Sequence, residues 1–408
     1  MKKRILISAY GCEPFRGSEA GVGWNWVLQM AKNNELHIIT RKNDREKIEK
    51  NIPEELKDNL NFYYYDTCKL LQKVKKKEKR LYIYYFFWQI GIIKIIKKLK
   101  KKIKFDYSMH LTFGSLWMPT FLSFFDIPFI WGPIGGGDGV PKAYIKNFPL
   151  KQKIIQRLRY VLIGTSFMNP LVAVPSKKAV AILCRTENNV MAIPKKYRNK
   201  AHVVLETAME KDVFQNEKDY TLENDNVELI VSGRLVPFKN VTAAIDIVDL
   251  LTKKYDNIHM TIIGRGPERE SIEAKIEKYN LSEHITMIKE LPRQEVLEHL
   301  TKADIYLFPS LREGGSWALM EGMAIGLPVV CLDWTGMKVI TDEESAFRVK
   351  PSNYKKTVEE MTDAVSKLVE NKNLRKQMGL AARKRIAEVY NWEYKGKFME
   401  GLLEELEG

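Results

Sequence analysis

Residues 308–328 read FPSLREGGSWALMEGMAIGLP, and the apolar run ADIYLF leads into them from Ala303. ADIYLF reads as a buried strand and SWALMEGMAIG as a helix entered through Gly314 and Gly315. Glu313 and Glu321 stand eight positions apart. That is a little over two helical turns, so a carboxylate in the loop and one on the helix can look into the same space. Between them, Gly314, Gly315 and Ser316 offer backbone N–H groups at a helix N-terminus, where the first amides lack intrahelical partners and the dipole favours an anion. Carboxylates grip hydroxyls and amides grip phosphate, so the stretch suits a sugar nucleotide. The plainer alternative is an N-capped helix with a surface glutamate on each of two turns.

Working outward, the 408 residues exceed one ordinary core and suggest two domains of roughly 200 residues. Cys12, Cys68, Cys184 and Cys331 lie far apart without metal-ligand spacing, and they read as reduced and mostly buried cysteines of a cytoplasmic chain. The opening MKKRILISAY has two lysines and a short apolar run that stops at GCEP, so it reads as a first strand and not a signal peptide. No apolar run is long enough for a membrane span. The net charge of +15 is local: residues 69–104 hold fourteen Lys or Arg and one acid, Glu78, leaving +2 for the rest.

Upstream, a strand over Ile5–Ala9 leads through GCEPFRGSEAGVGW into a helix, WNWVLQMAK, and a second strand, ELHIITR. Strand, glycine-rich loop, helix and strand make a parallel-sheet unit whose loops bind ligands at strand C-terminal ends. Gly17, Gly21 and Gly23 let a ligand approach the backbone or serve a packing turn; the spacing is not that of a dinucleotide fingerprint. In residues 69–104 apolar side chains recur at Leu81, Tyr85, Trp88, Ile92, Ile95, Leu99 and Ile103, with a second stripe at Tyr82, Phe86, Ile93 and Ile96, which is helical spacing. Three readings stand for this helix. It can lie on an anionic membrane surface, it can be a core helix with solvated lysine-rich ends, or it can bind nucleic acid. No nucleic-acid motif accompanies it, and nucleic acid is not an expected partner. His110 closes an expected strand before Thr112, Gly114 and Ser115, and WGPIGGGDGVP makes a glycine-rich loop further on.

A polar stretch over 206–226 separates a second strand–helix alternation. VELIVSGRLVPFKN ends in Gly233, Arg234 and Lys239, and two cations at a strand mouth can clamp a diphosphate, Arg as a fork and Lys as a point charge. HMTIIGRGPERE supplies a strand ending at Gly264 and Gly266.

The pattern F-P-S-x-x-E-G-x-x-x-x-x-x-E-x-M-A-x-G-x-P resembles the E-x7-E signature of retaining family-4 (group 1) glycosyltransferases of the GT-B fold. S-A-Y-x-C-E-P-x-x-G-S-E-x-G-V-G-W-N-W, F-D-x-x-x-H and G-R-L-x-x-x-K resemble further segments of a bacterial surface-polysaccharide branch. The resemblance covers nearly the whole chain. It implies an α/β protein with two Rossmann-like domains facing across a deep cleft. The N-terminal acceptor-side domain would span 1–205, the nucleotide-sugar domain 206–390, and a helix over 391–408 would cross back.

It implies that His110, Arg234, Lys239 and Glu313 serve catalysis: His110 near the reacting carbon, the cations on the leaving diphosphate, Glu313 on sugar hydroxyls. Glu321 would hold ribose hydroxyls, with Gly17, Gly21, Gly233, Gly264, Gly266, Gly314, Gly315 and Ser316 bordering the donor. No cofactor and no metal are expected, since no Asp-x-Asp occurs. The implied partners are a nucleotide-sugar and a glycan or lipid-linked acceptor. The expected location is the cytoplasm, with peripheral attachment to the inner membrane face through residues 69–104. Three departures stand out: Asn240 where the family has glycine, no glycine near Lys289, and Thr335-Gly336-Met337 in place of Gly-Gly-Pro. A GT-B-like UDP-sugar epimerase and a non-enzymatic basic binding protein are the competing readings.

Overall fold

The structure is a computed structural model and describes residues 2–68, 71–72, 81–221 and 226–408. It forms two compact units. The first comprises Met1–Gly137, Val161–Glu206 and Trp392–Gly408, and the second Asp138–Tyr160 and Thr207–Asn391. The expected division differs chiefly in that residues 138–160 group with the second unit, and its boundaries at 205/206 and 390/391 each fall one residue later. The expected linker also differs. Val213 is buried and the Lys218 N–H donates to the Ile325 carbonyl, so the described part of 206–226 packs on the second unit. Residues 222–225 lie outside the described residues.

In the first part of the chain, β1 (Arg4–Ala9), α1 (Glu19–Ala31), β2 (Glu35–Arg41), α2 (Arg45–Lys50), β3 (Leu60–Tyr65), α3 (Leu81–Lys100), β4 (Tyr107–Thr112), β5 (Phe129–Ile134), α4 (Leu150–Gly164), α5 (Pro170–Lys178), β6 (Ala179–Cys184), α6 (Glu187–Met191) and β7 (Ala201–Val203) follow in order. Their seven strands pair in parallel as β3-β2-β1-β4-β5-β6-β7. The second half runs β8 (Val227–Ser232), α7 (Val241–Leu251), β9 (Ile258–Ile263), α8 (Arg269–Lys278), β10 (Ile285–Ile288), α9 (Arg293–Lys302), β11 (Ile305–Phe308), α10 (Trp317–Ile325), β12 (Val329–Leu332), α11 (Thr335–Ile340), β13 (Ala346–Val349), α12 (Tyr354–Glu370), α13 (Lys372–Val389) and α14 (Trp392–Glu405). Its six strands pair in parallel as β10-β9-β8-β11-β12-β13.

Both sheets are doubly wound, so their central strands are covered on both faces and read as continuous apolar runs, not alternations. In β11 every residue of IYLF is buried. Each sheet has one topological switch point, between β1 and β4 and between β8 and β11, where consecutive crossovers leave in opposite directions and the strand-end loops part.

From Leu81 to Lys100 the lysine-rich segment is a helix with two apolar faces. Tyr84, Tyr85, Trp88, Ile92, Ile96 and Leu99 are buried in the core beneath the first sheet. Trp88 donates to the Tyr65 carbonyl at 3.1 Å, and Tyr85 stacks on Phe113 with ring centroids 3.9 Å apart. Tyr82 and Phe86 of the second stripe are exposed, together with Ile83, Phe87 and Ile90. The lysines N-terminal to this helix lie outside the described residues. Among the described residues no helix is long and apolar enough to cross a membrane. Three of the four cysteines are buried and Cys68 is exposed.

α14 belongs to the first unit and packs on α1. It carries Lys395 into the interior, where only 1 % of the residue is exposed. Burial depresses its ammonium from 10.5 to about 7, against the pull of the Glu206 carboxylate. The unfolded lysine keeps its proton up to its ordinary value, so between about pH 7 and pH 10 the unfolded chain binds more protons than the folded one. Stability contributed here is therefore present at high pH and lost as pH falls through 7. Thermal unfolding is expected to show stability rising across that window by up to about 1.4 kcal/mol per pH unit, and Lys395→Met is expected to flatten the slope. An unchanged slope in Lys395→Met would assign the pH dependence elsewhere.

Candidate active site

In the second unit the expected residues gather at the switch point. The loop leaving β8 carries Gly233, Arg234 and Lys239, and the loop leaving β11 carries Glu313 to Ser316. Lys239 Nζ lies 2.5 Å from Glu313 Oε1, with only 14 % and 11 % of the two side chains exposed. Ser310 donates to the same carboxylate oxygen at 2.5 Å, and the Lys239 ammonium also sits 5.1 Å from the Phe308 ring centroid. Arg234 is exposed beside this pair in sequence, and Gly233 has φ 138°. Gly233, Arg234, Lys239, Phe308, Pro309 and Ser310 line one small pocket. Ser316 caps α10 by accepting from the Leu319 N–H. A larger cavity of about 650 Å³ touches the same turn at Pro237 and Asn240, but no expected site residue lines it.

The departures from the family pattern become intelligible here. Asn240 adopts φ 55° and ψ 37°, the left-handed conformation that glycine takes most cheaply and asparagine tolerates best after it. The turn after Lys239 is thus kept. Thr335 has φ 47°, which is costly for a β-branched residue, and its hydroxyl accepts from the Glu313 N–H at 3.1 Å. The Gly336 N–H donates to the Glu313 carbonyl at 3.0 Å, so both backbone groups of Glu313 are fixed by the turn that replaces Gly-Gly-Pro.

Several expected ligand-side glycines have a packing duty. A Cβ at Gly264 would fall 1.9 Å from the Gly233 carbonyl oxygen, and one at Gly266 would fall 2.1 Å from that of Leu235. A Cβ on Gly315 would meet the Thr207 hydroxyl at 2.2 Å. Gly314 is half-buried, with its carbonyl against Gly336.

Glu321 is buried within α10, and burial raises its carboxyl above the usual range while Arg293 pulls it back. Arg293 Nε donates to Glu321 Oε1 at 2.7 Å and its Nη1 lies 3.0 Å from Asp212. Sequence reading missed Arg293, whose only signal was a buried carboxylate in need of a partner. It missed the 138–160 excursion as well. Burial and the neighbouring Arg159 lower Arg312 to about 10, with Asp138 and Glu313 opposing. Trp334 donates to the Gly139 carbonyl at 2.8 Å. Among the described residues no group of three or more His, Cys, Asp or Glu is placed to hold a metal ion.

In the first unit the loop after β1 folds back on α1. Gly17 is exposed, whereas a Cβ at Gly21 would fall 1.8 Å from the Arg16 carbonyl oxygen. His110 lies within β4 and is 2 % exposed, its Nε2 3.5 Å from the Phe113 carbonyl. Burial lowers its imidazole to about 4, so the ring is neutral at pH 7. Arg185, after β6, was not expected: it pairs with Glu206 at 3.1 Å and approaches Glu19 at 3.8 Å, and Glu19 accepts from the Gly114 N–H.

Residues 212–385 match the family model described as glycosyl transferases group 1. One subunit of the human phosphatidylinositol N-acetylglucosaminyltransferase is 26% identical over 187 residues, 43% of this chain and 38% of that protein. The capsular polysaccharide biosynthesis glycosyltransferase CapM of Staphylococcus aureus is 25% identical over 47% of this chain and 50% of its own length. The chain spans 38%, 56% and 50% of the length of three of the curated relatives it matches. Over its full length the fold is GT-B: Anabaena HepE, solved in complex with UDP, superposes with a TM-score of 0.61 at 11% identity over 99% of this chain and 100% of that one.

The Arg293–Glu321 contact yields a test. Arg293→Met leaves a buried carboxylate without its counter-charge and is expected to cost about 1–2 kcal/mol at pH 7, discounted because Arg293 is 42 % exposed. Arg293→Met with Glu321→Gln is expected to recover most of that loss in denaturant unfolding. Equal losses in the single and double variants would mean the two groups are uncoupled.

Proposed function

With residues 212–385 belonging to the group 1 glycosyl transferases, we propose that the chain moves a sugar from a nucleoside-diphosphate sugar to an acceptor hydroxyl with retention of anomeric configuration, in surface-polysaccharide or glycolipid synthesis. The observation that carries the reading is the joining of Lys239 and Glu313 at the switch point of the second sheet, with the capped N-terminus of α10 and Glu321 on the same loop–helix element. Doubly wound sheets bind ligands at this place.

In this reading the anomeric carbon–oxygen bond to the diphosphate breaks and its electron pair leaves with the phosphate. The acceptor oxygen bonds the anomeric carbon, and its proton passes to the departing phosphate. Charge on the leaving group is met by Lys239, Arg234 and the amides of Gly314 to Ser316, fixed dipoles and cations that need no reorganisation. Glu313 steers Lys239 while its carboxylate accepts sugar hydroxyls, and Thr335 and Gly336 hold its backbone still. Arg293 occupies one oxygen of Glu321, which leaves the other to accept from the ribose. His110, neutral at working pH, donates or accepts without carrying charge to the sugar. The proposal requires no metal and no cofactor.

The exposed row Tyr82, Ile83, Phe86, Phe87 and Ile90 on α3, with Lys94, Lys97 and Lys98 beyond it and no acid in the helix, supports peripheral attachment to an anionic membrane on the cytoplasmic side. A lipid-linked acceptor fits that position.

Two outcomes are expected. In a thermal-shift panel of UDP-, GDP-, ADP- and dTDP-sugars, with UDP first because HepE was solved with it, one donor stabilises the wild type, and Glu321→Ala weakens that donor by about tenfold or more. Lys239→Ala lowers kcat by about 10²-fold, the scale of one lost electrostatic contact to the transition state. A panel in which Glu321→Ala responds as the wild type does would sink the donor assignment.

A further inference from the structure

α4 is built inside out. Its outward residues are Leu150, Ile154, Ile155, Leu158, Val161 and Leu162, between 44 % and 74 % exposed. Spacings of three and four place them along one broad helical face. The side chains turned to the protein are mostly polar: Gln156 is the buried residue of the helix, Arg159 donates to the Asp138 carbonyl at 2.6 Å and Tyr160 to that of Val140 at 2.5 Å, with Ile163 the apolar exception, packed on the core. The apolar surface continues past the helix through Phe167 and Met168, which are 56 % and 71 % exposed.

A helix facing water normally shows the reverse pattern, and six large apolar side chains left in solvent along one face mark a surface that something covers. Charge identifies the occupant. From 150 to 168 the chain carries Lys151, Lys153 and Arg157 besides the inward-turned Arg159, and no acid. A second copy of the same face would bring the same positive charge against it. An anionic bilayer instead accepts the apolar side chains below its headgroups and the cations among them.

We propose that α4 docks the protein on anionic lipid as a second interfacial helix. The inference extends the membrane reading of α3 and stands on different residues. Within the first unit, the turn that follows α4 is linked to α3 by packing: Phe86 of α3 meets Phe121, Phe121 meets Phe124, which is 65 % exposed, and α5 packs on both the 121–124 and the 166–168 turns.

The test uses the full chain and flotation with phosphatidylcholine vesicles, with and without phosphatidylglycerol. Three proteins are compared: wild type, Leu158→Ser with Leu162→Ser, and Phe86→Ser with Phe87→Ser. Thermal unfolding confirms that each variant is folded, since all four positions are exposed. Wild type is expected to float with the phosphatidylglycerol vesicles and to release as salt rises, and the leucine variant to bind about tenfold or more weakly. Wild-type affinity in the leucine variant overturns the role of α4 and leaves α3 standing. Wild-type affinity in the phenylalanine variant removes α3 and leaves α4. A wild type that floats with neither vesicle overturns both. Light scattering that shows a wild-type dimer and a monomeric leucine variant makes a second copy the occupant and overturns the lipid assignment.

Discussion

The contact between Lys239 and Glu313 sets the geometry on which the candidate site depends. It joins loops that leave neighbouring strands at the one place where successive crossovers diverge. Loops at such a place have no reason to stay together unless something bridges them. Here the bridge is ionic, largely buried and reinforced by the Ser310 hydroxyl, so two side chains of opposite chemistry are presented within one hydrogen bond of each other. Beneath them the backbones approach so closely, at Gly264 on Gly233 and Gly266 on Leu235, that the strand ends form one rigid floor. A buried pair of this kind is weak evidence for stability, because desolvation offsets much of the attraction. Its value is in fixing position.

Strong local signals in the sequence were enough to give the layers. Uniformly apolar strands, glycine-rich strand ends and helical apolar spacing led to two doubly wound sheets, and Lys239 and Glu313 were legible as a cation and a carboxylate at strand mouths. What stayed hidden depended on partners far away in the chain. Arg293 is an ordinary helix residue until Glu321 is seen to be buried beside it. Gly264 and Gly266 were expected to border the donor, and the close approach of the Gly233 and Leu235 carbonyls to them, from the loop after β8, could not be read from the sequence. Asn240 and Thr335 looked like losses of glycine, yet both take left-handed backbone angles, which sequence alone does not report.

The same limit applies to helix faces. Spacing in α3 identified the helix and much of its core stripe, but its apolar residues wrap so far around the axis that periodicity could not say which side is covered. In α4 the pattern is correctly helical and points the opposite way from the usual rule. Only the positions of Gln156, Arg159 and Tyr160 against the protein reveal it.

The path of the backbone has a consequence for how the molecule is made. The chain passes between its units at 137/138, 160/161, 206/207 and 391/392. Neither unit is one continuous stretch, so no single cut separates them into complete halves. During synthesis the first sheet emerges early, but the helix that carries Trp392 and Lys395 against α1 is translated only after the whole second sheet. The N-terminal unit thus waits, with part of its interior uncovered, while the entire second sheet is produced. Domains usually finish in the order in which they leave the ribosome. In this chain the one that starts first is completed last, by the helix that closes over α1.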